Sequence, residues 1–166
     1  MEPTSTQVGA IAENLVINAL VTASKGRIAP FRPFADDEGI DILAYDKETG
    51  SAIPIQVKAR TVTLYKPKTK VRGNLAHFEL RKVVLDRNKR SVLVAALLTE
   101  DLKNVRDSWL IPMHEFKGLA NERASKLVIR PSIAKQGKDR YRAFYHHGIE
   151  TLVQALVKQL QTGAVK

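Results

Sequence analysis

The 166-residue chain predicts an α/β fold, a single domain with a mixed central sheet flanked by helices. Three observations predict it. An apolar stripe with helical spacing opens the chain, two alternating segments separated by a turn follow, and an unbroken apolar run at residues 92–98 comes after a long connection. With apolar residues at 44% and spread along 18.5 kDa, one hydrophobic core is expected.

Residues 5–24 read as the first helix, capped by Thr4 or Ser5. Val8, Ile11, Ala12, Leu15, Val16 and Ala19 recur at three- and four-residue spacing and form one stripe. At ~100° per residue Glu13 falls on the flank of that stripe, beside Gly9, Val16 and Leu20, so it points at the seam with the sheet. Gly26 suits the positive φ that ends a helix. Residues 27–34 predict an edge strand, because Pro30 and Pro33 deny it a full ladder. Residues 39–46 and 52–60 predict a hairpin around 47–51. On its first strand Ile40, Ile42 and Ala44 share one face and Asp41, Leu43 and Tyr45 the other. On its second, Ile53, Ile55, Val57 and Ala59 stand opposite Gln56, Lys58 and Arg60.

Residues 61–73 contain Pro67 and no stable period, which predicts a loop. Residues 75–89 read as a partly helical crossover, and 91–98 as a strand buried on both faces with a parallel neighbour. Beyond it the pattern predicts a strand at 108–112, a helix at 113–124, short strands at 126–130 and 141–145, and a closing helix at 148–161. The single domain 1–166 thus divides into a core of about 5–100 and a C-terminal extension of about 101–166.

Charge narrows the function. Lys plus Arg number 27 against 17 for Asp plus Glu, a net +10, which concentrates polyanions and makes nucleic acid the expected partner. Between Glu48 and Glu79 there is no acid, while Lys58, Arg60, Lys66, Lys68, Lys70 and Arg72 fall inside that interval. Arg60, Tyr65, Lys66, Lys68, Lys70 and Arg72 form a candidate DNA clamp, whose phosphate contacts give affinity but little sequence choice. Asp36, Asp37 and Glu38 read as a solvated acidic loop, with Asp37 in reach of the site. Absence of cysteine excludes disulfides and thiolate metal sites and fits a cytoplasmic protein. No basic start followed by an apolar run suggests a leader, and no apolar stretch approaches the ~20 residues of a membrane span. His77, His114, His146 and His147 lack metal-ligand spacing.

Hairpin register decides the site. A two-residue turn sets Asp41 opposite Lys58, and a four-residue turn sets it opposite Gln56. Either puts Asp41, Gln56 and Lys58 on one face, with opposed Cβ atoms ~5 Å apart, whereas a three-residue turn would separate them. Such a set suits phosphodiester hydrolysis, where water must lose a proton near neutral pH while negative charge builds on the phosphoryl oxygens. Asp41 is the natural primary ligand of a Mg²⁺ ion. The Gln56 amide oxygen and the Val57 backbone carbonyl add neutral donors, and Glu13 binds directly or through water. Lys58 is placed to hold the nucleophile or stabilise developing charge.

The segments Asp37-Glu38-Gly39-Ile40-Asp41-Ile42 and Ile55-Gln56-Val57-Lys58, preceded by Gly9-Ala10-Ile11-Ala12-Glu13, resemble the PD-(D/E)XK endonuclease superfamily. The resemblance covers roughly residues 9–98. Gly-Ile-Asp with Gln-X-Lys is similar to Mrr-type restriction endonucleases, and the Gln-X-Lys form also to some homing endonucleases. The helical glutamate is shared with archaeal-type Holliday-junction resolvases. The resemblance implies a restriction-endonuclease-like αβββαβ core and a Mg²⁺-dependent DNA endonuclease, with Mn²⁺ as a substitute ion. It implies catalytic roles for Glu13, Asp41, Gln56 and Lys58. Two departures stand out: Ile40 replaces the usual proline before the first acid, and Gln56 replaces the usual second acid, which predicts weaker metal affinity. The competing expectations are an inactive nucleic-acid-binding protein that keeps the fold, or a Holliday-junction or RNA-processing nuclease. Because one site cuts one strand, duplex cleavage predicts a homodimer or higher homo-oligomer.

Overall fold

The computed structural model describes residues 2–34, 39–87, 90–135 and 138–162. The acidic loop residues Asp36, Asp37 and Glu38 lie outside the described residues.

Helix α1 runs Ser5–Ala23 and starts with a capping box. The Thr4 hydroxyl accepts the Gln7 N–H, and the Gln7 side chain accepts the Thr4 N–H at 2.8 Å. Val8, Ala12, Val16 and Leu20 are buried, while Ile11, Leu15 and Ala19 flank them. At its end Gly26 has φ +80 and donates its N–H to the Val21 carbonyl at 2.8 Å.

Strands β1 (Ile28–Phe31), β2 (Ile42–Asp46), β3 (Ala52–Arg60), β5 (Val92–Leu98), β6 (Val105–Pro112) and β9 (Tyr145–His147) form a six-stranded sheet in the order β1-β2-β3-β5-β6-β9. Pro30 sits on the edge strand β1, where a missing N–H is tolerated. The β3–β5 pair is parallel and the remaining pairs of this sheet are antiparallel. The crossover between β3 and β5 carries β4 (Phe78–Arg81) and helix α2 (Lys82–Arg87). Strand β4 joins β7 (Asn121–Arg123) and β8 (Lys126–Ile129) in a second sheet, ordered β4-β8-β7.

Two cores share β5, and this explains its seven consecutive apolar residues. Val92, Val94, Ala96 and Leu98 pack with α1 and with α4 (Glu150–Thr162); Leu93, Ala95 and Leu97 pack under the small sheet with Phe78, Trp109 and Phe116. Full burial of each such side chain contributes roughly 1.5–3 kcal/mol, so a strand without a polar face is favoured only when both sides are covered. The described residues between 101 and 162 complete these layers. They supply β6 and β9 to the main sheet and bring Leu152, Leu156 and Leu160 of α4 into the core beneath α1.

Three expected elements differ. The helix at 113–124 is cut to α3, Met113–Leu119, because Asn121–Arg123 pair with β8 across a turn in which Ala124 takes φ +40. Residues 142–144 form one turn of 3-10 helix instead of a strand. Asp139 accepts the Tyr141 N–H at 3.1 Å, and the buried Tyr141 hydroxyl donates to the Leu119 carbonyl at 3.0 Å, so the chain is anchored as a turn before β9 begins. The segment at 75–89 opens with β4, whose Phe78 and Leu80 alternate with Glu79 and Arg81, and only then becomes helical.

Candidate active site

The hairpin has the four-residue turn at 47–50. Asp46 donates its N–H to the Ser51 carbonyl at 2.8 Å, and Ile42, Leu43, Ala44 and Tyr45 face Ile55, Pro54, Ile53 and Ala52. One residue before β2, Asp41 donates its N–H to the Ile55 carbonyl at 2.9 Å, and its carboxylate accepts the Val57 N–H at 2.6 Å. This register continues to Gln56 as the residue opposite Asp41. Because Ile53, Ile55, Val57 and Ala59 are committed to the core under α1, the alternate residues Gln56, Lys58 and Arg60 face the other way.

Asp41, Gln56, Lys58 and Arg60 line one cleft of about 290 Å³. Its far wall is the small sheet and α2, through Glu79, Leu80, Arg81, Val84 and Lys126. Gln56 is 4% exposed, and among the described residues its Oε1 has no hydrogen-bond partner. An orphaned buried acceptor costs about 1–3 kcal/mol, so this oxygen is poised for a ligand. Gly39 holds it there: with φ +73, a Cβ at this position would stand 2.8 Å from Val84 Cγ1 and 3.1 Å from Gln56 Nε2. Among the described residues no group of three or more His, Asp or Glu is arranged to hold a metal ion.

Glu13 lies on α1. Helix α1 packs on the opposite face of the sheet, and the Glu13 carboxylate lies 3.8 Å from the Arg32 guanidinium just beyond β1. Among the described residues it is not part of the cleft lining.

The basic segment after β3 is more ordered than the expected loop. A bridge joins Tyr65 to Arg72, the Lys66 N–H donates to the Val71 carbonyl at 2.8 Å, and the Gly73 N–H to the Leu64 carbonyl at 2.8 Å. The result is a short finger with exposed Lys66, Lys68 and Lys70 around its tip. Arg72 stacks 3.9 Å from the centroid of the Tyr65 ring and donates to the Thr63 carbonyl at 2.7 Å, which stiffens the base.

Sequence reasoning missed the far wall. Glu79 accepts from Lys126 Nζ at 2.6 Å and lies 3.0 Å from His77 Nε2; those two partners, Lys126 first, hold its carboxyl down to about 2. The signal that was present was the alternation of Phe78 and Leu80 with Glu79 and Arg81. Nothing local pairs residue 79 with residue 126.

No protein-family model matches the chain, and no curated protein matches it. Among solved structures the fold is similar to that of a bacterial homing endonuclease, I-Ssp6803I, at 17% sequence identity and a TM-score of 0.58, over 99% of this chain and 100% of that one. Hjc, a Holliday junction resolvase from the archaeal hyperthermophile Archaeoglobus fulgidus, is matched at 15% identity and a TM-score of 0.43, over 81% of this chain and 96% of that one. The chain therefore has a mixed α/β sheet architecture like that of the homing endonuclease.

Proposed function

We propose that the protein is a Mg²⁺-dependent DNA endonuclease of the PD-(D/E)XK type. The observation that carries this reading is the convergence of Asp41, Gln56 and Lys58 in one cleft, with the Gln56 oxygen buried and lacking a donor among the described residues. The fold likeness to a homing endonuclease supports it.

The residues present fit a hard divalent ion. The Asp41 carboxylate, the Gln56 amide oxygen and the Val57 carbonyl are the oxygen donors that would hold Mg²⁺, or Mn²⁺ in its place. When bound, such an ion lowers the pKa of water and offsets phosphate charge. Lys58 stabilises the negative charge that grows on the phosphoryl oxygens in the transition state. Glu13, on α1 beside Arg32, binds the ion directly or through water. Arg60 at the cleft and Tyr65, Lys66, Lys68, Lys70 and Arg72 of the finger hold the DNA backbone. Each site cuts one strand, so cleavage of both strands uses a homodimer or a higher homo-oligomer.

Incubation with supercoiled, linear and four-way-junction DNA, with and without Mg²⁺, tests the reading. Nicking or linearisation that EDTA and Asp41→Ala abolish is the expected result. Intact plasmid with a retained gel shift would identify a DNA-binding protein instead, and preferential cleavage of RNA would move the reading to RNA processing.

A further inference from the structure

In the small sheet Arg81 is the direct partner of Lys126, and Lys126 is the direct partner of Arg123. Residues paired this way project from the same face, with strands ~4.8 Å apart, so three cations stand in one row across all three strands. All three are exposed. The alternate residues Phe78, Leu80, Leu127 and Ile129 are buried against the main sheet, which fixes the cationic face outward. Like charges set directly opposite one another destabilise a sheet. Glu79 answers Lys126 at 2.6 Å, but it is one carboxylate for three cations, and its other oxygen is engaged by His77. Arg130 adds to the same face, donating from Nε to His77 Nδ1 at 3.3 Å. Arg81 and Lys126 also form part of the cleft wall, so the row runs on from Lys58 and Arg60.

We propose that this face is a second phosphate-binding track, along which the backbone of duplex DNA leaves the cleft across Arg81, Lys126 and Arg123. A self-repelling row that continues from the cleft is matched by a polyanion whose charges neutralise it. The choice of DNA rests on the nuclease reading, whereas the surface is distinct from the finger.

Equilibrium binding of duplex oligonucleotides of unrelated sequence, in EDTA and across a salt series, tests it without cleavage. Arg123→Ala, at the end of the row away from the catalytic cluster, should weaken binding several-fold for every sequence. It should also lower the slope of log affinity against log salt by about 0.9, and Arg81→Ala/Arg123→Ala by about twice that. Arg123→Ala should keep or raise the melting temperature at low salt, because a repulsion is removed. Unchanged affinity and slope in both variants, while the triple finger variant Lys66→Ala/Lys68→Ala/Lys70→Ala binds weakly, overturns the track and leaves the nuclease reading standing. A fall in melting temperature with unchanged binding makes the row structural and overturns it too, as does an effect confined to duplex RNA. Failure of the unmodified chain to bind any duplex DNA in EDTA overturns the track, while Mg²⁺-dependent cleavage decides the nuclease reading separately.

Discussion

An aspartate stands just before β2 and another ends it, and the two differ in everything but their chemistry. Asp46 is fully buried and saturated: Arg27 donates from Nε at 2.8 Å and from a terminal nitrogen at 2.7 Å, the Glu48 N–H at 3.0 Å and the Thr49 hydroxyl at 2.9 Å. Asp41 accepts the Val57 N–H and opens on a cleft beside Gln56 and Lys58. They stand five positions apart, an odd offset, so the pleat sends their side chains to opposite faces. A carboxylate on the core side stays ionised only if donors replace its water, and Asp46 has them. Its counterpart faces a polar cleft, where it lies beside an acceptor that lacks a donor among the described residues. Position relative to the pleat, not residue type, separates an aspartate that builds the turn from one suited to chemistry.

Asp41→Ala probes that contrast with the largest effect. Plasmid cleavage should fall by on the order of 10³-fold, with melting temperature changed far less than in Asp46→Ala; equal thermal losses would erase the distinction. Lys58→Ala comes next, with a cleavage rate lower by roughly 10²–10³-fold and DNA affinity nearly intact. If rate and affinity fell in proportion, Lys58 would be a phosphate anchor only. Gly39→Ala should destabilise by about 1–3 kcal/mol, measured by denaturant unfolding, because it combines φ +73 with a Cβ that meets Val84 and Gln56.

The acid limb of stability sharpens the other half of the comparison. The Arg27 guanidinium, with help from the Glu48 N–H and Thr49 hydroxyl, holds the Asp46 carboxyl well below the usual carboxylate range. A depressed folded pKa means that the stabilisation is fully present above the unfolded value, about 4, and is lost as pH falls from there toward the folded one. Melting temperature should therefore decline below about pH 4, less steeply in Asp46→Asn. An identical slope in that variant would assign the acid sensitivity to other carboxylates, Glu79 first among them.

Much of the architecture could be read from the chain alone, because period and parity are set by covalent geometry. The Thr4 cap, the stripe of α1, the two faces of β2 and β3, and the doubly buried run of β5 follow from spacing within a few residues. The common face of Asp41, Gln56 and Lys58 follows only if the turn has even length, which the structure decided, since a three-residue turn would have separated them. Other features were settled by tertiary structure: the four-residue turn that sets Asp41 against Gln56, the pairing of Glu13 with Arg32, the end of α3 at Leu119, and the wall of Glu79 and Lys126. Each depends on which distant segment covers a given face. A local pattern specifies that a face must be buried or paired, but the partner is selected by the packing of the whole chain.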